Sequence, residues 1–144
     1  MIRRSHVLVC VAFLLLLAAC GGAEASDSPL RQGREVYGNI CSACHGSNGQ
    51  GGIGPALADV AKTFPSCDEH VEWITLGSDQ WKIVHGDTYG ANDSPIEQVM
   101  PGQGATLSAE QIKAVAAYER VFYGGMDEGT ALDECGVSTP GSSE

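Results

Sequence analysis

Five consecutive residues, Cys41-Ser42-Ala43-Cys44-His45, carry the most specific chemistry of this 144-residue chain. On a helical turn, thiols three positions apart project to the same side. An imidazole follows directly. This run is the attachment signature of c-type haem. Cys41 and Cys44 can form thioethers to the two vinyl groups of one porphyrin, and His45 can lie under the iron as the proximal ligand. The residue types also allow other uses. Cys41, Cys44, Cys67 and His70 have the spacing of a Cys-x-x-Cys and Cys-x-x-His zinc site. Dithiol exchange would use Cys41 and Cys44 alone, but no βαβ pattern surrounds them.

The start of the chain favours haem, because covalent haem attachment belongs to exported proteins. Arg3 and Arg4 precede an apolar run from Val7 to Leu17, which is shorter than the ~20 residues of a membrane span. Leu17-Ala18-Ala19-Cys20 is similar to a bacterial lipobox, with Gly21-Gly22 after it. The expectation is a signal peptide over residues 1–19 and a lipidated Cys20. The mature protein would then be anchored on the extracytoplasmic side of a bacterial membrane. An ordinary signal peptide with Cys20 merely nearby is the alternative.

Removing 19 of 144 residues leaves 125, the length of one domain. Without Arg3 and Arg4, six of the eight basic residues face 18 acidic ones, a net charge of −12. That balance argues against nucleic acid as a partner. Residues 20–29 read as the lipidated cysteine and a flexible tether, whose Gly21–Pro29 stretch reaches ~30 Å at about 3.3–3.6 Å per residue. Residues 30–135 form the domain, and residues 136–144 read as a flexible tail.

The elements that must position the motif are helices and loops, and no convincing strand is legible. Leu30, Gly33, Val36, Tyr37 and Ile40 stripe a first helix over residues 30–42. Gly33 costs stability inside a helix and is better explained by the close approach of another one. A glycine-rich loop follows up to Pro55, and residues 57–63 predict a short helix. Ser66-Cys67-Asp68-Glu69 is a capping-box pattern opening a helix that stops at Gly77, with a further turn or helix over residues 78–84. Residues 85–104 predict a long loop, the kind that is usually functional. Ser108-Ala109-Glu110-Gln111 opens the clearest helix, ending near Phe122.

In order, the Gly33/Tyr37 helix, the Cys-x-x-Cys-His run, Gly54-Pro55, Met100-Pro101 and a capped terminal helix resemble class I cytochrome c over residues 30–125. The resemblance implies an all-α fold around one covalently attached haem c, its first and last helices crossing at Gly33 with Tyr37 and Tyr118 nearby. It implies that the Pro55 carbonyl accepts a hydrogen bond from His45 and that Met100 is the distal iron ligand. The alternative methionine is Met126, beyond the terminal helix, and the competing distal ligand is His85; His70 reads as a surface or satisfied histidine. Leu57, Trp73, Trp81 and Tyr89 are candidates for lining the haem or holding a propionate, and are equally good core residues. Once Cys20, Cys41 and Cys44 are used, Cys67 and Cys135 remain, an even pair that suggests one disulfide in an oxidising compartment. Two unpaired thiols are the alternative. That bond is expected to secure residues 124–135, which show little apolar periodicity.

Histidine–methionine ligation closes the iron to substrates and raises its potential. The expectation is an electron carrier and not an enzyme. Its partners would be a quinol–cytochrome c reductase, a terminal oxidase or a dehydrogenase. The rival reading is a gas sensor or peroxidase with a displaceable distal ligand.

Overall fold

A computed structural model describes residues 29–138. The signal peptide, Cys20, nearly all of the tether and most of the tail lie outside the described residues. Helix α1 (Pro29–Val36) runs without interruption into a π-helical turn (Tyr37–Cys41) and then α2 (Ser42–His45). The first helical segment is thus longer than its stripe predicts, and the whole Cys-x-x-Cys-His motif sits at its end. The short helix α3 is Val60–Thr63. Helix α4 spans Cys67–His85 but is broken at Gly77, whose φ is 64°. Two short antiparallel strands, β1 (Thr88–Tyr89) and β2 (Ser94–Pro95), form a hairpin within the long loop. Composition did not reveal them, because pairs this short leave no alternation to read. Helix α5 is Ala109–Phe122 and α6 is Glu128–Glu134.

Caps fix the helix starts. The Ser66 hydroxyl accepts from the Glu69 N–H at 3.2 Å. At α5 both halves of the capping box form between Ser108 and Gln111. The α1–α5 crossing depends on Gly33: a Cβ there would overlap the Ala114 carbonyl oxygen and Tyr118 Cβ. Alanines 114, 116 and 117 are fully buried on α5. Small side chains on one helix and glycine on the other therefore bring the two axes together. Tyr37 and Tyr118 pack beside the crossing with ring centroids 5.7 Å apart.

Two apolar clusters result. One joins α1, α5 and α6 through Leu30, Val36, Tyr37, Ile112, Val115 and Leu132. The other gathers Val60, Phe64, Trp73 and Trp81. Met100 and Leu57 pack against both.

The segment after α5 differs from expectation. It is not loosely held: Asp127 caps α6, whose Ala131 and Leu132 are buried. Arg120, with 0% of its surface exposed, donates to the Phe64 carbonyl (2.7 Å), the Pro65 carbonyl (3.2 Å) and Glu134 Oε2 (2.7 Å). Cys67 and Cys135 also meet here, their Cα atoms 5.1 Å apart, within the range a disulfide spans.

Candidate haem cleft

A single cleft between the two clusters collects the sequence-predicted residues. Cys41, Cys44, His45, Pro55, Leu57, Tyr89 and Met100 all line it, together with Trp73. Ile53 and Val99 also line it, and each remains 72% exposed, which puts apolar side chains where the cleft meets solvent.

The side holding His45 is built from local chain. The helix ends at Gly46, whose φ of 81° suits glycine. The loop then folds back under the motif: the Gly51 N–H donates to the His45 carbonyl at 2.8 Å and the Gly54 N–H to the Cys44 carbonyl at 2.9 Å. Tyr37 Oη donates to the Gly46 carbonyl at 2.6 Å. His45 Nδ1 lies 2.8 Å from the Pro55 carbonyl oxygen. A carbonyl only accepts, so Nδ1 carries the proton and Nε2 keeps its lone pair for a metal. Gly54 lies flat on the ring; a Cβ there would come within 3.0–3.3 Å of three imidazole atoms.

The opposite side is assembled from distant chain. Met100 N–H donates to Ser78 Oγ at 3.0 Å, and Ser78 N–H donates to the Met100 carbonyl at 2.9 Å. Gly77 and Pro101 form an antiparallel bridge.

Sequence reasoning missed the polar floor. His70 and Glu119, 2% and 4% exposed, line the cleft and pair at 3.1 Å between Nε2 and Oε2. Phe64 stacks on His70 at 5.1 Å. Burial pushes the Cys41 thiol well above its ordinary pKa, and the neighbouring Glu119 pushes it further. A histidine and a glutamate 49 positions apart offer no local signal of pairing; each alone reads as surface.

Three sequence readings are corrected. His85 does not line the cleft; it is exposed, bonded to Glu72 Oε1 at 3.0 Å and packed on Trp81. Trp81 is not a lining residue either. It stands behind Trp73, edge-on at 5.3 Å, and its Nε1–H donates to the Thr88 carbonyl, so no donor is left for a propionate. The zinc arrangement does not form, because Cys67 lies against Cys135, and among the described residues no group of three or more His, Cys, Asp or Glu could hold a metal ion.

The donor set fits a haem: two thiols and one imidazole on consecutive turns, a methionine lining the same cleft, and an imidazole fixed in the tautomer that metal binding needs. Fold and cleft together define a class I, mono-haem cytochrome c. The chain belongs to the family described as cytochrome c oxidase, cbb3-type, subunit III, whose model matches residues 28–118. It is similar to the cbb3-type cytochrome c oxidase subunit FixP of Azorhizobium caulinodans, with 30% identity over 72% of this chain and 31% of FixP. It is also similar to cytochrome c-551 of Bacillus subtilis, with 32% identity over 47% of this chain and 67% of that protein. The chain thus spans about a third of FixP. No solved structure matches. Membership establishes an electron-carrying c-type cytochrome with covalently bound haem c.

Proposed function

We propose that this chain is a membrane-tethered cytochrome that passes single electrons between respiratory or dehydrogenase partners outside the cytoplasm. Cys41 and Cys44 would hold the haem, and His45 and Met100 would bind its iron. Haem c supplies a one-electron iron couple whose potential a methionine ligand raises. The chain's own residues do the rest. Pro55 and Gly54 fix the His45 ring, the Met100 loop would bring its thioether to the iron, and Leu57, Trp73 and Tyr89 would exclude water. The observation that carries the reading is the convergence of His45, already bonded through Nδ1, and Met100 on one cleft with both thiols.

The tether rests on the Leu-Ala-Ala-Cys run ending at Cys20. A lipid on Cys20 would be the anchor, and no helix among the described residues is long and apolar enough to cross a membrane. Cys67 and Cys135 are proposed to be disulfide-bonded; non-reducing peptide mapping should recover them as one linked pair. The strongly acidic surface suits a basic docking face on a quinol–cytochrome c reductase, an oxidase or a dehydrogenase, and disfavours nucleic acid.

A redox titration of the mature protein followed by visible spectroscopy tests the assignment. The expected result is one low-spin haem that resists acid–acetone extraction, shows a sulfur-to-iron charge-transfer band when oxidised, and binds carbon monoxide slowly when reduced. Rapid carbon monoxide binding would mark an accessible iron position and overturn the carrier reading in favour of a sensor or peroxidase.

A further inference from the structure

We infer that the break in α4 at Gly77-Ser78 is the device that sets the Met100 side chain in place, with Ser78 as its positioning residue. The inference rests on Met100 being the distal ligand.

An unbroken α4 would donate the Ser78 N–H to the Ile74 carbonyl and the Asp79 N–H to the Thr75 carbonyl, following the helical pattern of four-residue steps. The left-handed φ of Gly77 removes both bonds. Three of the four freed groups are taken up by the loop that carries Met100. Gln103 N–H takes the Ile74 carbonyl at 2.9 Å and Gly104 N–H takes the Thr75 carbonyl at 3.1 Å. The freed Ser78 N–H takes the Met100 carbonyl at 2.9 Å. The loop from Met100 to Gly104 therefore stands in for the missing turn of helix.

Ser78 adds a second contact of its own. Its hydroxyl, 1% exposed with the residue, accepts the Met100 N–H at 3.0 Å. Both main-chain polar groups of the ligand residue are thus held by one buried serine. Gly77 allows the approach, since a Cβ there would overlap the Met100 carbonyl and the Gly102 nitrogen. A helix–glycine–serine break occurring by chance would leave its carbonyls to water. Here both freed carbonyls and the Ser78 N–H find partners within five residues of chain, and the first of those residues is Met100.

The test uses the haem-loaded protein with Ser78→Ala, which removes the hydroxyl and leaves the backbone contacts. Covalent haem content and far-ultraviolet circular dichroism should match wild type. The equilibrium for losing the sulfur-to-iron band on raising pH should shift about five- to tenfold toward loss, the effect of leaving one part-buried N–H unpaired. Carbon monoxide binding to the reduced protein should quicken by a similar factor. Ser78→Thr, which keeps the hydroxyl, should restore both. Wild-type band stability in Ser78→Ala overturns the inference, and so does an equal defect in Ser78→Thr, because packing would then be the cause. Met100→Ala is run in parallel. If it keeps the band, the ligand assignment itself has failed; if it loses the band while Ser78→Ala stays unchanged, only the positioning role has.

Discussion

The two sides of the cleft are built by opposite means. On the His45 side, the bond to Pro55 and the contact with Gly54 that fix the ring come from within ten positions along the chain. On the Met100 side, the holding contacts cross 22 positions to a break in another helix. A locally encoded site survives as long as its own short segment is folded. A site assembled across the chain depends on tertiary structure, and so it is the side that can be loosened without releasing the haem.

Replacing each of the two proposed ligands gives the largest contrast. His45→Ala should abolish a stable low-spin holoprotein, whereas Met100→Ala should keep covalent haem and helix content while lowering the potential and admitting carbon monoxide; absorption spectra of the two purified variants check this. If Met100→Ala also lost its haem, the asymmetry would be wrong. Gly77→Ala is next. It forces a left-handed φ on alanine and overlaps Met100 and Gly102, at a cost of roughly 1–3 kcal/mol for the backbone conformation alone. Urea titration should show the charge-transfer band disappearing well before the helices unfold. On the local side the effects are smaller and can be separated. Gly54→Ala presses on the His45 ring and should cost about 1 kcal/mol. Pro55→Ala retains the accepting carbonyl and should leave the spectrum unchanged, with thermal melts showing only the roughly 0.4–1 kcal/mol that proline contributes through the unfolded chain.

The smallest expected effect lies outside both sides and serves as a control. Asp127 Oδ1 accepts from the Thr130 N–H and hydroxyl, and these bonds hold its carboxyl below the ordinary pKa. A depressed folded-state pKa means that the contribution is present above the unfolded value of ~3.9 and is lost as pH falls through the lower folded one. Acidification below about pH 4 should therefore speed amide exchange at Thr130 and Ala131 before the spectrum changes.

The same asymmetry governed what the sequence disclosed. The Cys-x-x-Cys-His run, the Ser108 capping box, the Gly33 crossing and the stop at Gly77 are signals written in a few adjacent residues, and the fold follows them. The resemblance to cytochrome c led to Met100, but nothing near it in sequence identified Ser78 as its partner. His85 proved to be exposed and His70 buried and paired, because a histidine's surroundings are set by the other helices. His70 meets Glu119 on α5, and Arg120 reaches carbonyls 55 and 56 positions away. Helix α6 was overlooked because only Ala131 and Leu132 face inward, too few for a periodic stripe. Its Asp127-x-x-Thr130 cap was the one local signal available.

The break in α4 also has a kinetic consequence. In the segment from Gly86 to Leu107 only Leu107 is buried, whereas α5 carries three fully buried alanines and meets α1 at Gly33. Opening events in folded proteins select the segment with the fewest buried contacts. The Met100 loop is therefore expected to lift and reclose as a unit of partial opening while the crossed helices and the Cys-x-x-Cys-His turn stay shut, an order that native-state hydrogen exchange would read.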